Sequence, residues 1–174
     1  MESEIRYFRC TYPFEDLDID VEYYEMLGDG ALRQLTIMNG KPSSSNIDLH
    51  LASSSFEISE DEEDVERITK EEFDAVWNAH LENYRDQWEH AKALYPIGTD
   101  VMGVLRIFFP QGAIVKLKDA LGVADYWQCR KSTQPENMHP RHRITAIVEG
   151  YDEVNQWIIL GSPQVHPEQL EIFN

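Results

Sequence analysis

Cysteine is scarce in this chain: Cys10 and Cys129 are the only two in 174 residues. They lack metal-type spacing and are too few for a disulfide framework, which agrees with a reducing compartment. No stretch approaches the roughly 18 consecutive apolar residues that cross a bilayer, and residues 1–6 lack a basic region followed by an apolar run. The expectation is a cytoplasmic protein with no membrane partner. There is no phosphate-cradling glycine loop, and Ser53, Ser54 and Ser55 have no elbow glycines. Asp16, Asp18 and Asp20 alternate like the start of a calcium loop. Val21, however, stands where that loop needs its sharp-turn glycine, and Leu27 where it needs a closing ligand. His139 and His142 have Cys129 as their only nearby soft partner, and Pro140 lies between them. We therefore expect no metal, no cofactor and no catalytic residue: a binding protein rather than an enzyme.

Bases are the second scarcity, and they are unevenly distributed. The net charge is −17; residues 1–90 hold 23 acids against 7 bases, and residues 91–174 hold 9 against 8. An acidic first half repels a phosphate backbone and attracts cationic surfaces. With 42% hydrophobic and 11% aromatic residues there is enough material for a packed core, and only the Ser-rich and acid-rich middle is too polar to join one.

The predicted fold class is α+β. Strand-like runs occupy residues 5–10, 21–27 and 31–38, with Gly28-Asp29-Gly30 making a hairpin of the last two. Asn39-Gly40 supplies a further turn before an expected strand over 47–51. Residues 1–68 thus read as an acidic antiparallel β meander that ends in a solvated loop containing Glu60, Asp61, Glu62, Glu63 and Asp64. Thr69 precedes Glu72 by three positions, the spacing of a capping box. Phe73, Val76, Trp77, His80, Leu81, Tyr84, Trp88 and Ala91 then recur every three or four residues until Pro96. That stripe predicts one long amphipathic linker helix over 69–94 that packs on both halves, with His80 as a core or rim residue.

After Pro96 the period turns to alternation, and the predicted strands are 99–108, 112–117, 121–126, 142–150 and 156–160. Five strands is the count of an OB-type barrel, placed over 95–174. Ala113, Val115 and Leu117 share one face, as do Ile144, Ala146 and Val148. Arg130, Lys131, Arg141 and Arg143 gather in and just after the long connection between the third and fourth strands, where they could meet phosphates.

Ile97-Gly98, Val101-x-Gly103-Val104, Gly112-Ala113-Ile114-Val115, Leu121-Gly122-Val123, Ile144-x-Ala146-x-Val148, Tyr151-Asp152 and Ile159-Leu160 follow one another in an order that resembles the ribosomal S-one RNA-binding repeat over about 65 residues. The resemblance implies RNA lying across the second and third strands, held by aromatic stacking and a histidine. Phe108 or Phe109 supplies the first aromatic; the second falls on Ile114 and the histidine on Asp125, whose charge would repel phosphate. Tyr23-Tyr24-Glu25, Gly28-Asp29-Gly30 and Leu32-Arg33-Gln34 weakly resemble small bacterial proteins, some of them similar to immunity proteins that mask a toxin.

Two functional expectations follow. The first is an acidic, cytoplasmic protein-interaction module, such as an immunity protein, that presents Glu60, Asp61, Glu62, Glu63 and Asp64 to a basic partner, a toxin in that case. The alternative is RNA or single-stranded DNA binding through the barrel by Phe108, Phe109, Arg130, Lys131, Arg141 and Arg143.

Overall fold

The computed structural model describes residues 4–11, 18–52 and 58–171. Asp16 and the run Ser53, Ser54 and Ser55, weighed above for calcium and for nucleophilic chemistry, lie outside them. The chain divides into two units, Met1–Tyr84 and Arg85–Asn174.

In the first unit β1 (Ile5–Thr11), β2 (Ile19–Leu27), β3 (Gly30–Met38), β4 (Lys41–Ser44) and β5 (Val65–Ile68) form an antiparallel sheet in the order β4-β3-β2-β1-β5. Asn39 and Gly40, with φ of 50° and 72°, turn β3 into β4, the two positive values that a tight twisted hairpin requires. Alternation gives the sheet two apolar faces. Tyr7 and Leu35 pack with Phe73, Trp77 and Leu81 of helix α1 (Lys70–Glu82). Phe8, Cys10, Tyr24, Met26 and Ala31 pack on the other side, with Leu51, Ala52 and Ile58 against them. The Thr69 capping box is formed in both directions, at 3.1 Å to the Glu72 amide and 2.8 Å back to the Thr69 amide.

Two expectations for this region are corrected. Residues 47–51 are not a strand. The Asp48 carboxylate instead accepts the Ser44 amide at 2.8 Å and Leu49 takes a φ of 58°, so the chain turns there. The fifth strand is β5, which directly follows the acidic turn. The apolar stripe, moreover, forms two helices rather than one. At Asn83 the backbone tightens onto the carbonyls of His80 and Leu81, and the Asn83 side chain also donates to the His80 carbonyl at 3.2 Å. Helical bonding stops there and resumes in α2 (Arg85–Leu94). Phe73 and Trp77 serve the sheet as expected, Tyr84 sets its ring edge-on to His80, and Trp88 and Ala91 belong to the core of the second unit.

That core is enclosed by β6 (Asp100–Phe109), β7 (Gly112–Lys116), β8 (Leu121–Ala124), β9 (His142–Asp152) and β10 (Trp157–Gln169), closed into a barrel in the order β10-β8-β7-β6-β9. All neighbours are antiparallel except β8 and β10, which run parallel. Five strands close the ring, the count expected of an OB-type barrel. Every inward residue expected from alternation, Ala113, Val115, Leu117, Ile144, Ala146 and Val148, lies in the core. Closure brings backbones together at Gly103, where a Cβ would sit 2.5 Å from the Lys116 carbonyl oxygen, and at Gly112, where it would sit 2.4 Å from that of Ala124. The connection from β8 to β9 holds helix α3 (Tyr126–Lys131) and a single 3-10 turn, Pro135–Asn137.

Candidate nucleic-acid interface

The chain leaves β8 and enters α3 through Asp125. The Asp125 carboxylate accepts the Gln128 amide at 2.8 Å, so Asp125 is the helix N-cap. The third barrel strand, expected over 121–126, therefore ends at Ala124, and Asp125-x-x-Gln128 is the cap signal in the sequence that marks the change to helix. Cys129 points into the core, its thiol pushed up to about 11 by burial and then by the Asp125 charge, which leaves it unreactive. Ser132 closes the helix: its hydroxyl donates to the Cys129 carbonyl at 2.7 Å and accepts the Val165 amide of β10 at 3.0 Å.

With Cys129 facing inward, Trp127 faces out and is 66% exposed. Its ring meets Tyr126 edge-on, with centroids 5.2 Å apart. Tyr126 meets Phe108 in the same way at 5.6 Å, and both Tyr126 and Phe108 pack against the core. Arg130 and Lys131 follow Trp127 by three and four positions, the spacings that share one helix face. Neither makes an ion pair among the described residues.

The other expected contacts are dispersed. Arg143 Nε donates to Glu168 at 2.8 Å, and Arg141 lies 3.7 Å from Glu171 and donates to the Leu170 carbonyl at 3.4 Å. Phe109 is half-buried and tilted against Trp157, with centroids 6.4 Å apart. On the β7–β8 face Ile114 is fully buried, with Ile107 and Val123 as its cross-strand partners. Arg106, Lys116 and Lys118, like Arg130 and Lys131, have no ion-pair partner among the described residues. A groove of about 490 Å³ lined by Asp100, Met102, Thr145, Ile147 and Ser162 carries a carboxylate and no cation, which suits it poorly to phosphate.

In the first unit Glu60 pairs with Arg6 at 3.1 Å, and the Asp64 carbonyl accepts the Thr11 amide at 2.9 Å. Asp61, Glu62 and Glu63 are exposed and have no ion-pair partner among the described residues.

No family model and no curated protein matches the chain. Among solved structures it is similar to a multidomain protein with nucleic acid binding domains from Streptococcus pneumoniae, at 15% identity and a TM-score of 0.27 over 97% of this chain and 53% of that one. The chain thus spans about half the length of that neighbour.

Proposed function

We propose that this is a non-enzymatic protein whose barrel, of the ribosomal S-one kind, binds RNA or single-stranded DNA. The observation that carries the reading is the state of the barrel unit's cations. Five of them, Arg106, Lys116, Lys118, Arg130 and Lys131, have no ionic partner among the described residues, on a closed five-stranded ring of the type that commonly holds oligonucleotides. Arg6, Arg9, Arg33, Arg67 and Lys70 of the acidic unit each meet a carboxylate. Titrating the full chain with labelled mixed-sequence oligonucleotides across a salt series tests this. Single-strand binding that neutralises Z phosphates should weaken with a log–log slope of about −0.7Z, and salt-independent binding, or none, removes the reading.

A second reading rests on Asp61, Glu62 and Glu63, whose charges are exposed and without an ion-pair partner among the described residues, which suits a cationic protein partner such as a toxin. It predicts an association rate that falls with salt and falls again when those three residues are neutralised, in a complex recovered from the native cell.

A further inference from the structure

We propose that α3 carries a base-stacking site for single-stranded nucleic acid, with Trp127 as the platform and Arg130 and Lys131 as phosphate contacts. The inference rests on the reading above and places its site off the β7–β8 face, where a buried Ile114 offers no ring. An indole left 66% exposed gives little to the core, yet the helix that bears it is anchored. Asp125 caps the helix turn that bears it, Cys129 and the Ser132 hydroxyl tie the helix to the barrel, and the edge-on series Trp127, Tyr126, Phe108 braces the ring. A rigid aromatic loses little entropy when a base settles on it. Phe108, expected from sequence to stack on a base itself, becomes the support of the ring that does.

The occupant follows from the chemistry around the ring. Two cations follow the exposed indole at helical spacing, neither of them in an ion pair among the described residues, so the ligand offers flat apolar faces and negative charge in alternation along a flexible chain. A single strand has that pattern, whereas a duplex keeps its base faces stacked inside. The set contains no side chain aimed at a base edge, so recognition is tolerant of sequence.

The experiment uses the full chain and a labelled twelve-nucleotide mixed-sequence RNA and its DNA counterpart, read by fluorescence anisotropy at low salt. Stacking on one platform is expected to contribute roughly 5- to 150-fold in affinity, so Trp127→Ala should weaken binding within that range. Trp127→Phe should recover part of the loss, and Ile97→Ala, at another exposed apolar position, should change nothing. Arg130→Gln with Lys131→Gln should make the salt slope shallower by about 1.4, the value for two single-strand phosphate contacts. Thermal melts of each variant separate lost binding from lost folding, and an exposed residue should leave the midpoint nearly unmoved. Wild-type binding that survives Trp127→Ala within twofold overturns the platform and leaves the barrel reading standing. No binding by the wild type overturns both.

Discussion

The Arg33 guanidinium lies 4.8 Å from the ring centre of Phe73 and 5.2 Å from that of Trp77, and grips both oxygens of Glu25 at 2.9 and 2.6 Å while reaching Asp74 at 3.0 Å. Taking a charge out of water is tolerable only with such a full set of partners. Sequence alternation could place Leu35 inside but not Arg33, because the pairing of Arg33 with Glu25 exists only in the realised register of the hairpin. His80 shows the opposite arrangement. It is buried as expected, with Nε2 2.9 Å from the Ser44 hydroxyl, but Nδ1 has no partner among the described residues. Burial depresses its pKa, against a smaller upward pull from Asp48. A proton added in the folded state would place a charge in that site with one N–H unmatched, whereas the unfolded chain takes the proton near about pH 6.5. Stability is therefore fully present above that pH and is lost as pH falls from it toward the lower folded pKa, where the loss levels off. Urea midpoints measured between pH 7.5 and 5 should decline in wild type and stay flatter in His80→Gln. Equal slopes would remove His80 as the cause.

At the scale of elements, legibility followed the length and regularity of the pattern. The alternating runs that became β6, β7 and β9 were readable because each repeats one local rule several times, and the capping box of α1 because its two residues stand at one fixed spacing. β5 is four residues long, two of them charged, and sits at a sheet edge; it offered no alternation to read. β10 runs nine residues past its predicted end, through Gly161, Pro163 and Pro167, where register shifts accommodate the residues that usually stop a strand. The exposure of Trp127 was invisible for another reason: whether an aromatic on a six-residue helix faces in or out depends on where Cys129 is anchored. The glycine pattern of the barrel was legible and has a direct physical test. At Gly103 an added methyl would lie 2.5 Å from the Lys116 carbonyl oxygen and 2.8 Å from a Val115 methyl, and the backbone atom cannot swing aside as a side chain would. Gly103→Ala should therefore cost about 1–3 kcal/mol, the usual range for overpacking, seen as a lowered urea midpoint for barrel amides in hydrogen exchange. Unchanged protection in β6 and β7 would mean that the strands separate there freely.

Charge is what distinguishes the two units at the scale of the whole molecule, and one variant uses it to separate the two functional readings. Residues 1–84, the first unit, carry 21 acids against 6 bases, so at low salt the chain presents an approaching phosphate backbone with long-range repulsion that the barrel's cations must overcome. The reach of that field is set by ions in solution, about 30 Å at 0.01 M and about 8 Å at 0.15 M. Replacing Asp61, Glu62 and Glu63 by Asn, Gln and Gln removes three negative charges without touching the barrel or the Arg6–Glu60 pair. Under the nucleic-acid reading, oligonucleotide affinity at 0.01 M salt should rise and the gain should vanish near 0.15 M. Under the cationic-partner reading, the same variant should associate more slowly with its partner at low salt. Anisotropy titrations at both salts, with stopped-flow association for any captured partner, read the two outcomes separately. A variant with wild-type oligonucleotide affinity at 0.01 M would show that these three charges do not repel the ligand.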